Sequence, residues 1–322
     1  MTAVPAPLVS VVMPVYNGDE FLAEAIESIL NQTFTDFEFI IVDDGSQDLS
    51  AEIVRGYMIQ DDRVHFIQLD ENMGNAFARN AGIAAANGVY IATMDCDDVS
   101  LPQRLERQAA FMESCPRIGV LGARTHYVDK DMNLLLSPEE PLQHALICIN
   151  FIAGSFLAHP GTMFRRSLLA AVGNYCADYA TAVDLHLYLR LLTETKTRFA
   201  NTPEVLILYR LHDSNISRNL DADGRARRLR LRRWMLQQLW NNTPEATFER
   251  LTDARPMHTR SWIERWSAKR DYKRLASALI AKEWVDAEDR QLLLGHIDRL
   301  IGNLSPRLWQ MFVHWRRHHF GR

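Results

Sequence analysis

The feature that most constrains this chain lies in its first hundred residues, where short β-branched runs alternate with amphipathic stretches of helical length. "LVSVVMPVY" (8–16), "FEFIIVDD" (37–44), "VHFIQLD" (64–70) and "VYIATMD" (89–95) each read as a buried strand. Between them, "EFLAEAIESILNQ" (20–32) puts Phe21, Leu22, Ala25, Ile26, Ile29 and Leu30 on one helical face. "LSAEIVRGYMIQ" (49–60) and the Ala-rich "GNAFARNAGIAAANG" (74–88), closed by Gly88, supply two more helices. Pro102 opens another in "PQRLERQAAFMES". Alternation with short links predicts an α/β fold with a mostly parallel central sheet flanked by helices. In such sheets ligands bind beyond the carboxyl ends of the strands.

Three of these strands end in acids: Asp43-Asp44, Asp70-Glu71 and Asp95-Cys96-Asp97-Asp98. Carboxylates this close repel one another, and each loses hydration beside a buried strand. Three acidic ends on one rim therefore invite a divalent cation. Carboxylate oxygens suit Mg²⁺ or Mn²⁺, and a diphosphate would complete the shell. The alternative for "DCDD" is a turn in which Asp97 and Asp98 cap the following helix.

The rest of the chain sets limits. Its 322 residues, 47% hydrophobic and 24% charged, suit one large domain with an appendage. No run of about eighteen apolar residues appears, so no membrane-spanning helix is expected. The N-terminus lacks the basic start and cleavage site of a signal peptide. Cys96, Cys115, Cys148 and Cys176 have no metal-ligand spacing, so reduced thiols and a cytoplasmic location are expected. Charge is unevenly spread: residues 1–219 hold 15 Lys+Arg and 28 Asp+Glu, whereas residues 220–322 hold 21 and 12. All seven tryptophans lie in the second stretch. These shifts predict two regions, 1–219 and a mainly helical, basic, Trp-rich 220–322.

Seven segments occur in order: "VSVVMPVYNG", "IIVDDGSQD", "ENMGNAFARNAGI", "MDCDDVSLPQRLE", "HPGTMFRRSLLAAVGNY", "DLHLYLRL" and "LYRLHDSNIS". Together they closely resemble the family 2 glycosyltransferases of GT-A fold, over about residues 8–218. The resemblance implies an enzyme that moves a sugar, with inversion, from a nucleotide diphosphate sugar to an acceptor hydroxyl. It also implies a divalent metal, Mn²⁺ or Mg²⁺. UDP is the expected nucleotide, with dTDP and GDP open.

The resemblance assigns roles residue by residue. Pro14, Val15 and Tyr16 would wall the base pocket. Asp43 of "DDGS", beside Asp44, would hydrogen-bond uracil or ribose; the plainer reading is an Asp-Gly turn. Arg79 would contact base or diphosphate, or else pair with a nearby acid. Asp95 would face the ribose and Asp97 the metal. Asp98 would support the metal or cap the helix. Asp184 matches the family's catalytic base, which takes the acceptor proton. The family's preceding Glu is Val183 here. The plainer reading of Asp184 is an acid at a helix N-terminus. His159 and His212 sit where the family often has histidine, as phosphate donor, metal ligand or structural group. "LHDSNISR" would be a lid ordered by the donor.

The tail admits several readings. "RARRLRLRRW" (225–234) carries six arginines spread nearly all round a helix, which argues against a nucleic-acid stripe and for a solvated helix. "SPRLWQMFVHWRRHHFGR" projects Leu308, Trp309, Met311, Phe312, Val313 and Trp315 onto one arc. That face would lie on a membrane surface, on the catalytic domain, or on a second subunit of a homodimer. A membrane contact would place the protein peripherally at the inner face of the cell membrane, with a lipid-linked saccharide as acceptor. Two other functions remain to be weighed. A sugar-nucleotide scaffold with a weak centre rests on Val183 alone. A nucleotidyltransferase would need a Gly-rich, basic phosphate loop that "PVYNGDEFL" lacks.

Overall fold

The computed structural model describes residues 6–153, 157–179, 182–215, 222–240, 242–253 and 259–301. The expected alternation is present: β1 (Val9–Val15), α1 (Asp19–Leu30), β2 (Phe37–Asp43), α2 (Ser50–Gln60), β3 (Val64–Gln68), α3 (Asn75–Ala85) and β4 (Tyr90–Thr93). Every residue of β1, β2 and β4 is buried, as strands covered on both faces must be. α1 buries Leu22, Ala25, Ile26 and Ile29, the stripe its sequence period marks out. Leu22, Ile26 and Ile29 each contribute about 1.5–3 kcal/mol when fully removed from water. Gly82 lets α3 lie close on the sheet, since a Cβ there would sit 2.5 Å from Val12 Cγ1.

β3, β2, β1 and β4 are neighbours in that order and all parallel, so their carboxyl ends share one rim. Met94 N–H donates to Val12 O, so even-numbered residues of β1 face β4. Pro14 lies past the last β1–β4 pair, Val12↔Thr93, and its missing N–H breaks no rung of that ladder.

Beyond β4 the sheet becomes mixed. After β5 (Val99–Ser100) and α4 (Arg104–Ser114) come β6 (Ile118–Val128), β7 (Leu134–Leu136), α5 (His144–Ala153), β8 (Met163–Arg165), α6 (Arg166–Val172), α7 (Val183–Thr195) and β9 (Arg198–Arg210). β8 pairs antiparallel with both β4 and β6, while β9 runs parallel to β6 and antiparallel to β5. Among the described residues the order is β3-β2-β1-β4-β8-β6-β9-β5, with β7 beside β6. The last pairing, Val99↔Leu208, brings the end of β9 to the turn that leaves β4.

The chain divides into two units, one of residues 1–147 and 155–231, the other of 148–154 and 232–322. In the second, α9 (Glu245–Thr252), α10 (Trp262–Ala281) and α11 (Arg290–Ile301) are helical, as expected. α10 starts at a reciprocal capping box between Ser261 and Glu264. The buried Asp271 accepts from Arg250 Nε at 2.6 Å, and Tyr272 donates to Leu251 O. α8 (Ala222–Leu239) carries the six-arginine run. The amphipathic segment from Ser305 on lies outside the described residues.

A polar clamp holds the middle of the first unit. Thr93, the last residue of β4, donates from Oγ1 to His159 O at 2.5 Å and from its N–H to Thr162 O, and its Oγ1 lies 2.9 Å from Thr162 Oγ1. The His159 ring lies between the hydroxyls of Tyr188 (2.8 Å from Nδ1) and Tyr175 (3.0 Å from Nε2). Burial, then the Arg79 charge, pushes the His159 imidazole well below its usual 6.5. The unfolded chain therefore takes up this proton first, so stability is lost as pH falls below about 6.5, by at most about 1.4 kcal/mol per unit from this site. Urea unfolding at pH 7 and pH 5 checks this: the loss on acidification should be smaller for His159→Gln than for wild type.

Candidate active site at the ends of β1, β2 and β4

The site is built where the parallel strands stop. The turn after β4 carries Asp95, Asp97 and Asp98, one oxygen of each lying within 4.8 Å of the others. The first two are partly exposed and Asp98 is 1% exposed. Burial raises the Asp98 carboxyl well above its ordinary range, and the charges of Asp97 and Asp95 raise it further. Burial also raises Asp95, opposed by Arg79 and aided by Asp97. Asp98 Oδ1 accepts from Arg210 N–H at 2.8 Å, but its buried Oδ2 has no protein partner. An unpaired buried carboxylate oxygen in a crowded acidic cluster is costly.

Three arginines supply part of the missing charge. Arg79, on α3, is buried; its Nη2 pairs with Asp95 Oδ1 and its Nε donates to Asn75 Oδ1. Arg79 is thus no surface arginine: it is paired with an acid of the cluster itself. Arg104, on α4, is fully buried and donates to Thr93 O at 2.7 Å, one turn of chain beneath the aspartates. Burial lowers it to about 9, against the pull of Asp98 and Asp95, so it stays a cation at neutral pH. Arg210, ending β9, donates from Nε to Asp97 O and from Nη2 to Glu24, and its guanidinium lies 4.4 Å from the Phe21 ring centre.

Asp97 is oriented from the other side of the cleft floor. Its Oδ2 lies 2.9 Å from His212 Nε2 and accepts from Asn215 Nδ2 at 3.1 Å. Asn215 Oδ1 in turn accepts the His212 N–H, which closes a small ring of polar groups. His212 thus joins the cluster, whereas His159 does not: both its nitrogens serve tyrosines.

The two aspartates of "DDGS" have different surroundings. Asp43 is 0% exposed; Oδ1 accepts from Ser46 N–H, while buried Oδ2 has no protein partner. Asp44 uses both oxygens, accepting from Met73 N–H (2.8 Å) and Gly74 N–H (2.9 Å). It therefore pins the loop before α3. Gly45 makes this turn possible: its φ is +73°, and a Cβ would meet Glu71 C at 2.6 Å. The third acidic end does not join the cluster, since Asp70 and Glu71 are exposed to water. Val15 is buried with its carbonyl bonded to Asp44 N–H, and Tyr16 is 46% exposed on the rim.

Asp184 lies in the first turn of α7, where the helix dipole favours an anion, and its Oδ1 accepts Leu185 N–H. It lies near enough to Asp95, Tyr175 and Tyr188 to act on their ionisation. Val183, which stands where the resemblance expects Glu, is buried. Sequence reasoning missed Arg104, Arg210, Asn215, Tyr175 and Tyr188. The sequence shows their types but not that their polar ends converge.

Comparisons with known proteins give the family and the fold. Residues 10–173 match the model of "Glycosyl transferase family 2". The chain is 31% identical over 215 residues to the O-antigen biosynthesis glycosyltransferase WbnJ of Escherichia coli, covering 66% of this chain and 83% of that one. It is 42% identical over 216 residues to the putative teichuronic acid biosynthesis glycosyltransferase TuaG of Bacillus subtilis, covering 66% and 82%. In fold, it resembles S. aureus TarS 1-349 solved with UDP-GlcNAc, with TM-score 0.58, 18% identity and coverage of 98% and 93%. It also resembles the mannosyltransferase PcManGT of Pyrobaculum calidifontis, solved with GDP-Man and Mn²⁺, with TM-score 0.55, 16% identity and coverage of 99% and 89%. With its parallel half-sheet ending in an acidic cluster, the chain belongs to glycosyl transferase family 2 and is a glycosyltransferase.

Proposed function

We propose that this enzyme transfers a sugar, with inversion, from a UDP-sugar to a hydroxyl of a growing cell-surface saccharide, with a divalent cation at Asp97 and Asp98. The observation that carries the reading is the pair of buried, unpartnered oxygens on one rim, Asp43 Oδ2 and Asp98 Oδ2. The first is an acceptor suited to the imide N–H of uracil. The second is a hard oxygen suited to Mg²⁺ or Mn²⁺. The UDP-GlcNAc and Mn²⁺ of the two structural relatives support both choices. The surface-polysaccharide setting draws on the names of WbnJ and TuaG, and a lipid-linked acceptor fits that setting.

The residues divide the work. Val15 and Tyr16 border the base and Asp43 receives its N–H. Asp95, fixed by Arg79, faces the ribose. Asp97, oriented by His212 and Asn215, and Asp98 hold the cation; His212 offers a further ligand nitrogen. When bound, the cation would offset charge developing on the departing diphosphate. Asp184 takes the proton of the attacking hydroxyl, at the opposite side of the sugar from the diphosphate. Asp44 acts at one remove, by holding the loop that leads to Arg79.

A panel of UDP-, GDP- and dTDP-sugars, with candidate saccharide acceptors and Mn²⁺, Mg²⁺ or EDTA, tests the reading through release of nucleoside diphosphate. Release should need metal, favour one UDP-sugar, and fall about 10²–10⁴-fold in Asp184→Asn with donor affinity kept. A protein that binds donor but releases nothing with any acceptor would instead be a binding scaffold. Asp43→Asn should weaken UDP binding about tenfold or more, by calorimetry, and leave Mn²⁺ binding alone unchanged. The raised carboxyls of Asp95 and Asp98 mean that a cation must displace a proton. Mn²⁺ affinity should therefore be fully present at high pH and fall as pH drops through that raised range, by up to about tenfold per unit per proton displaced.

A further inference from the structure

Near the acidic cluster, and used by none of the roles above, two buried tyrosines, Tyr175 and Tyr188, meet the His159 imidazole in one hub. We infer that His159 is a positioning residue: it fixes the start of α7, and with it Asp184, relative to the end of β4, which carries Asp95. The inference rests on the base role proposed for Asp184.

The connections run to all three catalytic elements. Towards β4, His159 O accepts from Thr93 Oγ1 at 2.5 Å and from Thr162 Oγ1 at 2.6 Å. Thr93 is two residues before Asp95. Towards α7, Nδ1 lies 2.8 Å from Tyr188 Oη. Tyr188 is four residues after Asp184 on the same helix, so the two share a face. Towards α3, Nε2 lies 3.0 Å from Tyr175 Oη, and the Tyr175 ring lies 5.8 Å below the Arg79 guanidinium, which holds Asp95. Asn80, next to Arg79, grips the Tyr175 backbone at both N–H and C=O.

The chemistry of imidazole is what allows one side chain to serve both tyrosines. A neutral ring has one N–H donor and one bare nitrogen on opposite sides. It can therefore donate to one hydroxyl and accept from the other, giving a continuous directed chain in either tautomer. Burial and the nearby Arg79 charge keep the ring neutral. Phenylalanine would fill the space and remove the partner that the two hydroxyls share. Glutamine restores one donor and one acceptor.

Hydrogen exchange of the full chain, compared among wild type, His159→Phe, His159→Gln and Tyr188→Phe, tests this without any substrate. In His159→Phe, amides in the first two turns of α7 should exchange about tenfold faster, with α1 and α2 within about twofold of wild type. Tyr188→Phe should reproduce the effect, and His159→Gln should recover most of it. In calorimetry with Mn²⁺ and UDP as probes, all variants should bind as wild type does, because the donor side keeps Arg79 and Asp95. Unchanged exchange in α7, or acceleration spread evenly over the unit, would overturn the inference. Turnover of Asp184→Asn decides the base role separately: normal turnover there would remove that role and leave the exchange result to stand or fall by itself.

Discussion

The arrangement depends on the repulsion among three carboxylates held at the end of a buried strand. Asp95, Asp97 and Asp98 lie within four consecutive positions, so the backbone keeps them close. The fold meets their charge from beneath and from the sides. Arg104 comes up under β4, Arg79 reaches from α3, and Arg210 arrives at the end of β9. Each is fastened by bonds to backbone or neighbouring side chains, so the positive charge is fixed in place. What the arginines leave open is Asp98 Oδ2 and the exposed side of Asp95 and Asp97.

The mixed sheet follows from the same need. Four parallel strands suffice to make a rim, but the rim is open on the β4 side. The antiparallel β8 and the long pair β6–β9 extend the sheet there and return the chain to the acidic turn. Arg210, His212 and Asn215 are delivered by that return, more than a hundred residues after the aspartates they touch. α7 brings Asp184 from the same half. Thus the first half of the unit offers the acidic rim, and the second half brings Arg210, His212, Asn215 and Asp184.

Much of this was legible in the sequence, for local reasons. Period and β-branching marked β1 to β4 and α1 to α4, because strands buried on both faces tolerate little else. The acids of "DCDD" were legible because carboxylates rarely crowd a strand end without purpose. What was not legible depends on distance in the chain. Asp44 and Asp43 are adjacent and alike, yet one pins a loop and the other keeps a free oxygen. Only the position of Met73 and Gly74 separates them. Asp70-Glu71 matched the acidic pattern but faces water. Arg104 looks like any helical arginine until the fold buries its head under Thr93. The crossover to antiparallel pairing at β8 also escaped notice, since a three-residue strand carries almost no periodic signal.

The account stands on the claim that the acidic turn is one half of a cation site whose other half is a diphosphate. Electron paramagnetic resonance of Mn²⁺, titrated into the metal-free protein with and without saturating UDP, tests it most directly. If the two halves form one site, UDP should tighten Mn²⁺ by at least about tenfold, Mn²⁺ should tighten UDP by the same factor, and Asp97→Ala should abolish the coupling. Equal Mn²⁺ affinity with and without UDP, or coupling that survives Asp97→Ala, would contradict it.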